Sequence, residues 1–193
     1  MIRRNRAISV IFSVILGACV SNTGATATTL IRMDLKALAQ SAQIILRARC
    51  VGSVTRWESG SIWTFDDFQV LESFKGAPPR ILRVRLPGGR VGHVETRIEG
   101  VPYFFQGEEA VLFVEKTSAG DYGVTGWAQG TFRVHRESAG GEPRLTQDTS
   151  GVAVFDPATR QFSPTGIRNL SLSDFRRLVA AAVSATPQNR RQR

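Results

Sequence analysis

The chain has 193 residues, 42% of them hydrophobic, and a formal net charge of +9 at pH 7. This apolar content excludes a largely disordered chain. Six of the 25 basic residues lie within 1–27 or 188–193, where no acidic residue lies, so the rest of the chain carries a net charge of only +3. Acidic and basic residues are mixed there, which argues against a nucleic-acid-binding protein.

Residues 1–27 are predicted to be a secretory signal peptide. Arg3, Arg4 and Arg6 precede an apolar run over residues 7–20, and a polar segment follows. This charged, apolar, polar order is typical of export signals. The run is too short for a bilayer-spanning helix, which needs roughly 20 residues. We therefore expect an exported protein, periplasmic or secreted.

Two cleavage signals compete in this region. Residues 25–27 (Ala-Thr-Ala) have the small side chains that signal peptidase requires, and cleavage there leaves Thr28 as the new N-terminus. Residues 16–19 (Leu-Gly-Ala-Cys) resemble the bacterial lipobox, in which Cys19 is lipidated and anchors a lipoprotein to the membrane. Because this alternative leaves a very short tether before Thr28, cleavage after Ala27 is favoured. Membrane contact is then expected only if Cys19 is lipidated.

The remainder is predicted to be one domain over residues 28–186, followed by a basic disordered tail over residues 187–193. After cleavage, Cys50 is the only cysteine, so an intramolecular disulfide is excluded. Cys50 lies in an apolar run, and we expect it to be a small core residue.

The first elements in chain order are a short helix and a long hairpin. Apolar residues at mixed spacings of three and four predict an amphipathic helix over residues 33–43, with Asp34 as its N-cap. The period then changes to two over residues 44–57 and 61–74, with Gly60 between them. This pattern predicts two long strands joined by a tight turn.

Several shorter strands and one more helix follow. Ser171 is predicted to cap a C-terminal amphipathic helix. No helix is expected between the strands, which favours a mainly β fold: an antiparallel β-barrel or sandwich of about six to eight strands. The further strand candidates are residues 80–86, 91–98, 110–115, 122–127, 130–136, 151–155 and 160–162.

Residues 33–134 resemble a recurrent group of uncharacterised bacterial exported proteins. The segments that carry the resemblance are MDLKALAQSAQIILRARCVGSV, FQVLESFKG, LRVRLPGG, QGEEAVLFVE and GWAQGTFRV. Their order is also similar in outline to the OB-like barrel of netrin-like domains and of tissue inhibitors of metalloproteinases. Those inhibitors chelate a protease's zinc through an N-terminal cysteine, whereas this chain would begin at Thr28. The inhibitor mechanism is therefore not carried over.

A search for catalytic patterns gives no strong match. The chain lacks a P-loop, a Rossmann glycine motif, HExxH, paired CxxC and a GxSxG elbow. His93 and His135 both fall in predicted strands without a second ligand at metal spacing. Asp66 and Asp67 are adjacent in a predicted strand, so their side chains are expected on opposite faces. We predict no catalytic residue, no metal site and no cofactor.

Aromatic residues give the best indication of a binding surface. Tyr103, Phe104 and Phe105 fall between strands with little alternation, and we predict an exposed apolar binding loop. The favoured function is a non-enzymatic binding or interaction module of the cell envelope, whose partner is another envelope or secreted protein. The alternative is a hydrolase, which requires His93 or His135 to meet a nucleophile or carboxylate across strands. The full set of aromatics that could line a groove is Trp57, Trp63, Tyr103, Phe104, Phe105 and Trp127.

Overall fold

The computed structural model describes residues 29–138, 140–150, 152–162 and 166–185. This part of the chain is mainly β, with 49% of it in strands, and it has a short helix near its N-terminus and a longer one at its C-terminus. The mainly β class with a short N-terminal helix and a C-terminal helix is thereby confirmed. A short strand, Thr29–Ile31, precedes the first helix, so the expectation of no helix between strands is wrong there. The signal peptide, both cleavage positions, Cys19 and the basic tail lie outside the described residues.

The two α-helices are α1 (Leu35–Ser41) and α2 (Leu172–Ser184). The strands are β1 (Thr29–Ile31), β2 (Ile44–Glu58), β3 (Ser61–Lys75), β4 (Ile81–Pro87), β5 (Gly89–Val91), β6 (Val94–Thr96), β7 (Glu109–Lys116), β8 (Tyr122–Val124), β9 (Thr131–His135), β10 (Arg144–Gln147), β11 (Ala153–Asp156), β12 (Gln161–Phe162) and β13 (Leu170–Ser171). A 3-10 turn over Trp127–Gly130 precedes β9.

The helix caps and the long hairpin form as the sequence predicts. The Asp34 side chain accepts a hydrogen bond from the backbone N–H of Ala37, and that of Ser171 accepts one from Asp174. These bonds satisfy backbone donors that the first helical turn leaves free. Strands β2 and β3 pair along their whole length, joined by a turn in which Gly60 has a left-handed φ of 79°.

Five strands form a ring in the order β2, β3, β4, β8 and β7, with β7 pairing back onto β2. Strands β9, β10 and β13 extend the same sheet beyond β7. The closure between β4 and β8 is limited to one residue pair, Val84 with Tyr122. Successive side chains of each ring strand therefore point alternately into the ring, on its interior face, and away from it, on its exterior face.

Two pairings among the described strands are parallel, which the prediction of an antiparallel fold did not include. They are β4 with β8 and β1 with β11. Both join segments that are far apart in sequence, so no turn motif in the sequence predicts them. The predicted strand over residues 91–98 is also wrong, since a turn at Gly92 and His93 divides it into β5 and β6. The predicted strand over residues 122–127 ends at Val124, because Gly126 takes a left-handed conformation before the 3-10 turn.

Apolar side chains form two main cores on opposite faces of the sheet. Strand β7 contributes to both, and six consecutive residues of it are buried. The interior core includes Leu46, Ala48, Cys50, Phe68, Leu82, Val84, Phe104, Ala110, Leu112 and Val114. The exterior core, under the two helices, includes Leu38, Ile45, Val111, Phe113, Phe132, Leu145, Phe175 and Val179.

A bulge in β2 determines which side chains share the ring interior near the hairpin. Cys50 pairs with Phe68 and Gly52 pairs with Asp67, so Val51 has no partner of its own in β3. Beyond the bulge, Ser53 is opposite Asp66. The extra residue reverses the alternation of side chains in β2, so that odd-numbered positions beyond it point to the face that even-numbered positions occupy before it. It therefore brings Ser53 to the face that Cys50 occupies.

Candidate binding site

The predicted aromatic loop leads from β6 into β7, and it buries two of its three rings at least in part. Phe104 is 7% exposed and packs edge-on against Phe68 with ring centroids 5.0 Å apart. The Tyr103 ring is half-buried, and its hydroxyl accepts a hydrogen bond from the backbone N–H of Ile98 at 3.2 Å. Phe105 is 75% exposed. The expectation of an exposed loop is thus wrong for Phe104, which completes the interior core.

Backbone hydrogen bonds hold the end of this loop against β2. The N–H of Gly107 donates to the carbonyl of Cys50, and the N–H of Cys50 donates to the carbonyl of Glu108, both at 2.8 Å. The N–H of Phe105 donates to Oε2 of Glu108 at 2.8 Å. These bonds fix the backbone on both sides of the exposed ring. Phe105 is therefore an exposed aromatic side chain on a well-supported segment.

Arg133 of β9 ties the loop to the sheet. Its Nη2 donates to the Tyr103 carbonyl at 2.8 Å and to Oδ2 of Asp148 at 2.7 Å. Its Nη1 donates to Oε2 of Glu108 at 3.0 Å. The guanidinium carbon lies 4.5 Å from the centroid of the Phe104 ring. Sequence reasoning missed this residue, because an arginine in a strand gives no signal of the distant loop that it holds.

Two clefts share Tyr103, Phe105 and Arg133 in their walls. The first has a volume of about 670 Å³ and extends along the β5–β6 region towards Asp148 and Val152. The second has a volume of about 710 Å³. It is lined by polar and charged side chains from β2, the start of β7 and the end of β9, namely Arg49, Glu108, Glu109, His135 and Arg136. The exposed Phe105 ring thus offers an apolar contact beside the charged side chains of the second cleft.

Asp66 and Asp67 lie on opposite faces of β3, as their alternation predicts. Asp67 forms a two-bond ion pair with Arg83, at 2.7 and 2.8 Å, which lowers the pKa of the Asp67 carboxyl. Asp66 is fully buried, and neither of its oxygens has a hydrogen-bond partner of acceptable geometry among the described residues. Burial raises the pKa of Asp66 to about 6, although the Ser53 hydroxyl partly opposes the rise. The two carboxylates therefore do not share a site.

Cys50 is a core residue, as predicted. Its side chain is fully buried in the ring interior, and its Sγ is 3.6 Å from the carbonyl of Gly52. Burial raises the pKa of the thiol, and the nearby Asp66 charge raises it further. Since the thiolate is the nucleophilic form, this environment opposes reactivity.

The structure separates the two histidines from the groups that a hydrolase would need. His93 is exposed in the β5–β6 turn, and His135 is exposed at the end of β9 in the wall of the second cleft. Within the described ranges, neither imidazole makes a hydrogen bond or ion pair with a Ser, Asp or Glu side chain. The contact that would favour the hydrolase alternative is not formed among these residues.

The remaining aromatics do not join the loop in one groove. On the exterior face, the Arg85 guanidinium lies 3.9 Å from the Trp63 ring centroid, and that of Arg56 lies 4.1 Å from the Phe65 centroid. Trp57 and Trp63 line a separate cleft of about 280 Å³. Trp127 packs against the interior core. The six predicted aromatics thus divide among three environments.

In comparisons with known proteins, no protein-family model and no curated protein matches this chain. Within the described residues, no helix is both long and apolar enough to cross a bilayer. Nor do three or more His, Cys, Asp or Glu side chains of that part of the chain come together in a group that could hold a metal ion.

Proposed function

We propose that this chain is an exported, non-enzymatic binding module of the bacterial cell envelope, and that its partner is another envelope or secreted protein. The observation that carries the proposal is Phe105, which exposes 75% of its surface on a segment fixed by hydrogen bonds to β2. Aromatic side chains, phenylalanine among them, are enriched at protein interfaces relative to the rest of the protein surface.

The loop is also preorganised for binding. Phe104 packs into the interior core on one side of Phe105, and Glu108 accepts a hydrogen bond from the Phe105 backbone on the other. Arg133 connects the same segment to β9 and to Asp148. A side chain held in this way loses little conformational entropy on binding, so more of its contact energy contributes to affinity.

We also propose that the ring is an OB-like barrel. The strand order β2, β3, β4, β8 and β7, with β7 returning to β2, supports this assignment. OB-like barrels are five-stranded and partly open, and the single residue pair between β4 and β8 agrees with partial closure. This fold accommodates many unrelated functions, so it does not identify the partner.

Replacing Phe105 with alanine tests the binding proposal. A photo-crosslinking amino acid at position 105 would first identify a partner among envelope and secreted proteins by mass spectrometry. Purified protein starting at Thr28 would then be titrated with that partner. We expect Phe105→Ala to weaken binding by about tenfold or more, which is about 1.4 kcal/mol, because an apolar anchor is lost.

Phe162→Ala is the matched control, since Phe162 is 63% exposed and lies on β12. It should leave the affinity unchanged, and circular dichroism should show that both variants remain folded. Equal affinities of wild type and Phe105→Ala would remove this loop from the proposal. A partner crosslinked equally well from positions 105 and 162 would be judged non-specific.

A further inference from the structure

Glu109, which lines the second cleft, contacts more guanidinium groups than its single carboxylate can neutralise. The side chain of Glu109, at the start of β7, is 6% exposed. Arg136 donates to both of its oxygens, at 3.1 and 3.2 Å, and Arg47 donates to Oε1 at 3.1 Å. Nη2 of Arg49 lies 3.6 Å from Oε2. Three arginines therefore surround one carboxylate group.

A second carboxylate extends this cluster without balancing it. Glu72 accepts two hydrogen bonds from Arg176 of α2, at 2.7 and 3.0 Å, and its Oε2 lies 3.4 Å from Nε of Arg47. The connected ion pairs thus contain four arginines and two glutamates. We name this set the arginine cluster: Arg47, Arg49, Arg136, Arg176, Glu72 and Glu109.

The excess charge is accessible at the cleft. The Arg49 side chain is 49% exposed, and its guanidinium makes no hydrogen bond to any described residue. The Arg136 side chain is 39% exposed, and its Nε likewise has no acceptor among them. Guanidinium groups bind carboxylates through pairs of parallel N–H donors. Both arginines can add such bonds without losing their contacts with Glu109.

We propose that the second cleft binds an acidic peptide segment of the partner, with Arg49 and Arg136 donating to a carboxylate and Phe105 contacting an adjacent apolar side chain. This inference rests on the proposed function for the role of Phe105. Charge complementarity favours an acidic occupant, and it disfavours the chain's own basic residues 188–193. Because Glu108 lines the same cleft, a short acidic segment fits better than an extended polyanion.

Nuclear magnetic resonance titration of the ¹⁵N-labelled protein starting at Thr28 tests this inference directly. The probe is the peptide acetyl-Glu-Asp-Phe-Glu-Leu-amide, and its control is acetyl-Gln-Asn-Phe-Gln-Leu-amide. We expect the acidic probe to shift the amide signals of Arg49, Phe105, Glu109 and Arg136, and to bind at least about tenfold more tightly than the neutral probe. Raising the salt concentration from about 50 to about 300 mM should weaken the binding of the acidic probe.

Two variants identify the groups that bind the carboxylate. Arg49→Gln should lower the affinity of the protein for the acidic probe by about fivefold or more, while its affinity for the neutral probe stays unchanged. Arg83→Gln is the control, because Arg83 is 58% exposed and pairs with Asp67 on another strand pair. Unchanged affinity in Arg49→Gln, or shifts confined to other surfaces, would overturn the inference. Tighter binding of short-chain polyphosphate than of the acidic peptide would also overturn it.

The two proposals can fail separately. If Phe105→Ala loses the identified partner while Arg49→Gln retains it, the binding loop stands and the acidic occupant is wrong. If the acidic peptide binds at Arg49 but Phe105→Ala has no effect on either ligand, the cleft stands and the role of the loop is wrong. Signal mapping on the wild-type protein decides the position of the site even if a variant fails to fold.

Discussion

Asp66 places a carboxyl group inside the ring, opposite Ser53 of β2 and Val84 of β4. The side chain is fully buried, and its oxygens have no hydrogen-bond partners of acceptable geometry among the described residues. Burial disfavours the charged form, which is why the pKa of Asp66 rises to about 6 from an ordinary value of 3.8. The native protein therefore binds a proton at this position more tightly than the unfolded chain does.

This difference predicts that the contribution of Asp66 to stability falls as the pH rises. Well below pH 3.8 the group is protonated in both states and its raised pKa has no effect on stability, whereas above about pH 6 the folded state must hold a buried charge. We expect the free energy of unfolding of Asp66→Asn, relative to that of the wild type, to rise by about 2 kcal/mol between about pH 4.5 and about pH 7.5. Urea unfolding at a series of pH values measures this gain.

Asp67→Asn is the matched control for that experiment. Arg83 lowers the pKa of Asp67, so the ion pair stabilises the fold at neutral pH and is lost as the pH falls. Because the pair is exposed, the effect should be small and of opposite sign. Parallel stability curves for the wild type and Asp66→Asn would show that folding does not raise the pKa of Asp66, and would contradict this prediction.

At the scale of elements, the loop before β7 combines a core residue and an exposed one at adjacent positions. Phe104 fills the ring interior against Phe68, while Phe105 contributes little to the core. Phe104→Ala should therefore lower the free energy of unfolding by about 3 kcal/mol or more, through lost burial and a residual cavity. Phe105→Ala should change it by less than about 0.5 kcal/mol.

Chemical denaturation of the two variants beside the wild type measures this contrast. The measurement is also a control for the binding experiment, because a loss of affinity in Phe105→Ala can be assigned to the missing ring only if the variant is as stable as the wild type. Similar destabilisation by both substitutions would mean that Phe105 packs against the protein. Its role as an exposed anchor would then be wrong.

At the scale of the whole molecule, the proposed export would restrict the partners that the clefts can meet. If cleavage follows Ala27, the mature protein starts at Thr28 and is periplasmic or secreted, and intact-mass measurement should give that N-terminus. Cys19→Ser should then leave processing unchanged. A variant that is not processed, or that is released from the membrane fraction, would show that Cys19 is lipidated and that the protein is membrane-anchored.

Patterns within single elements could be predicted from the sequence, because they depend on local backbone geometry. Alternating apolar residues predicted the β2–β3 hairpin, and polar residues with free oxygens predicted the caps at Asp34 and Ser171. The opposite orientation of Asp66 and Asp67 followed from the same alternation.

Only the tertiary structure decided which elements meet and which face of each strand is the interior. The β2 bulge at Val51, the parallel β1–β11 pair and the Arg133 contacts with the aromatic loop all join residues that sequence spacing does not relate. The burial of Phe104 and the convergence of Arg47, Arg49 and Arg136 on Glu109 have the same origin. Local chemistry determines the form of an element, whereas its partners are selected by the packing of the entire chain.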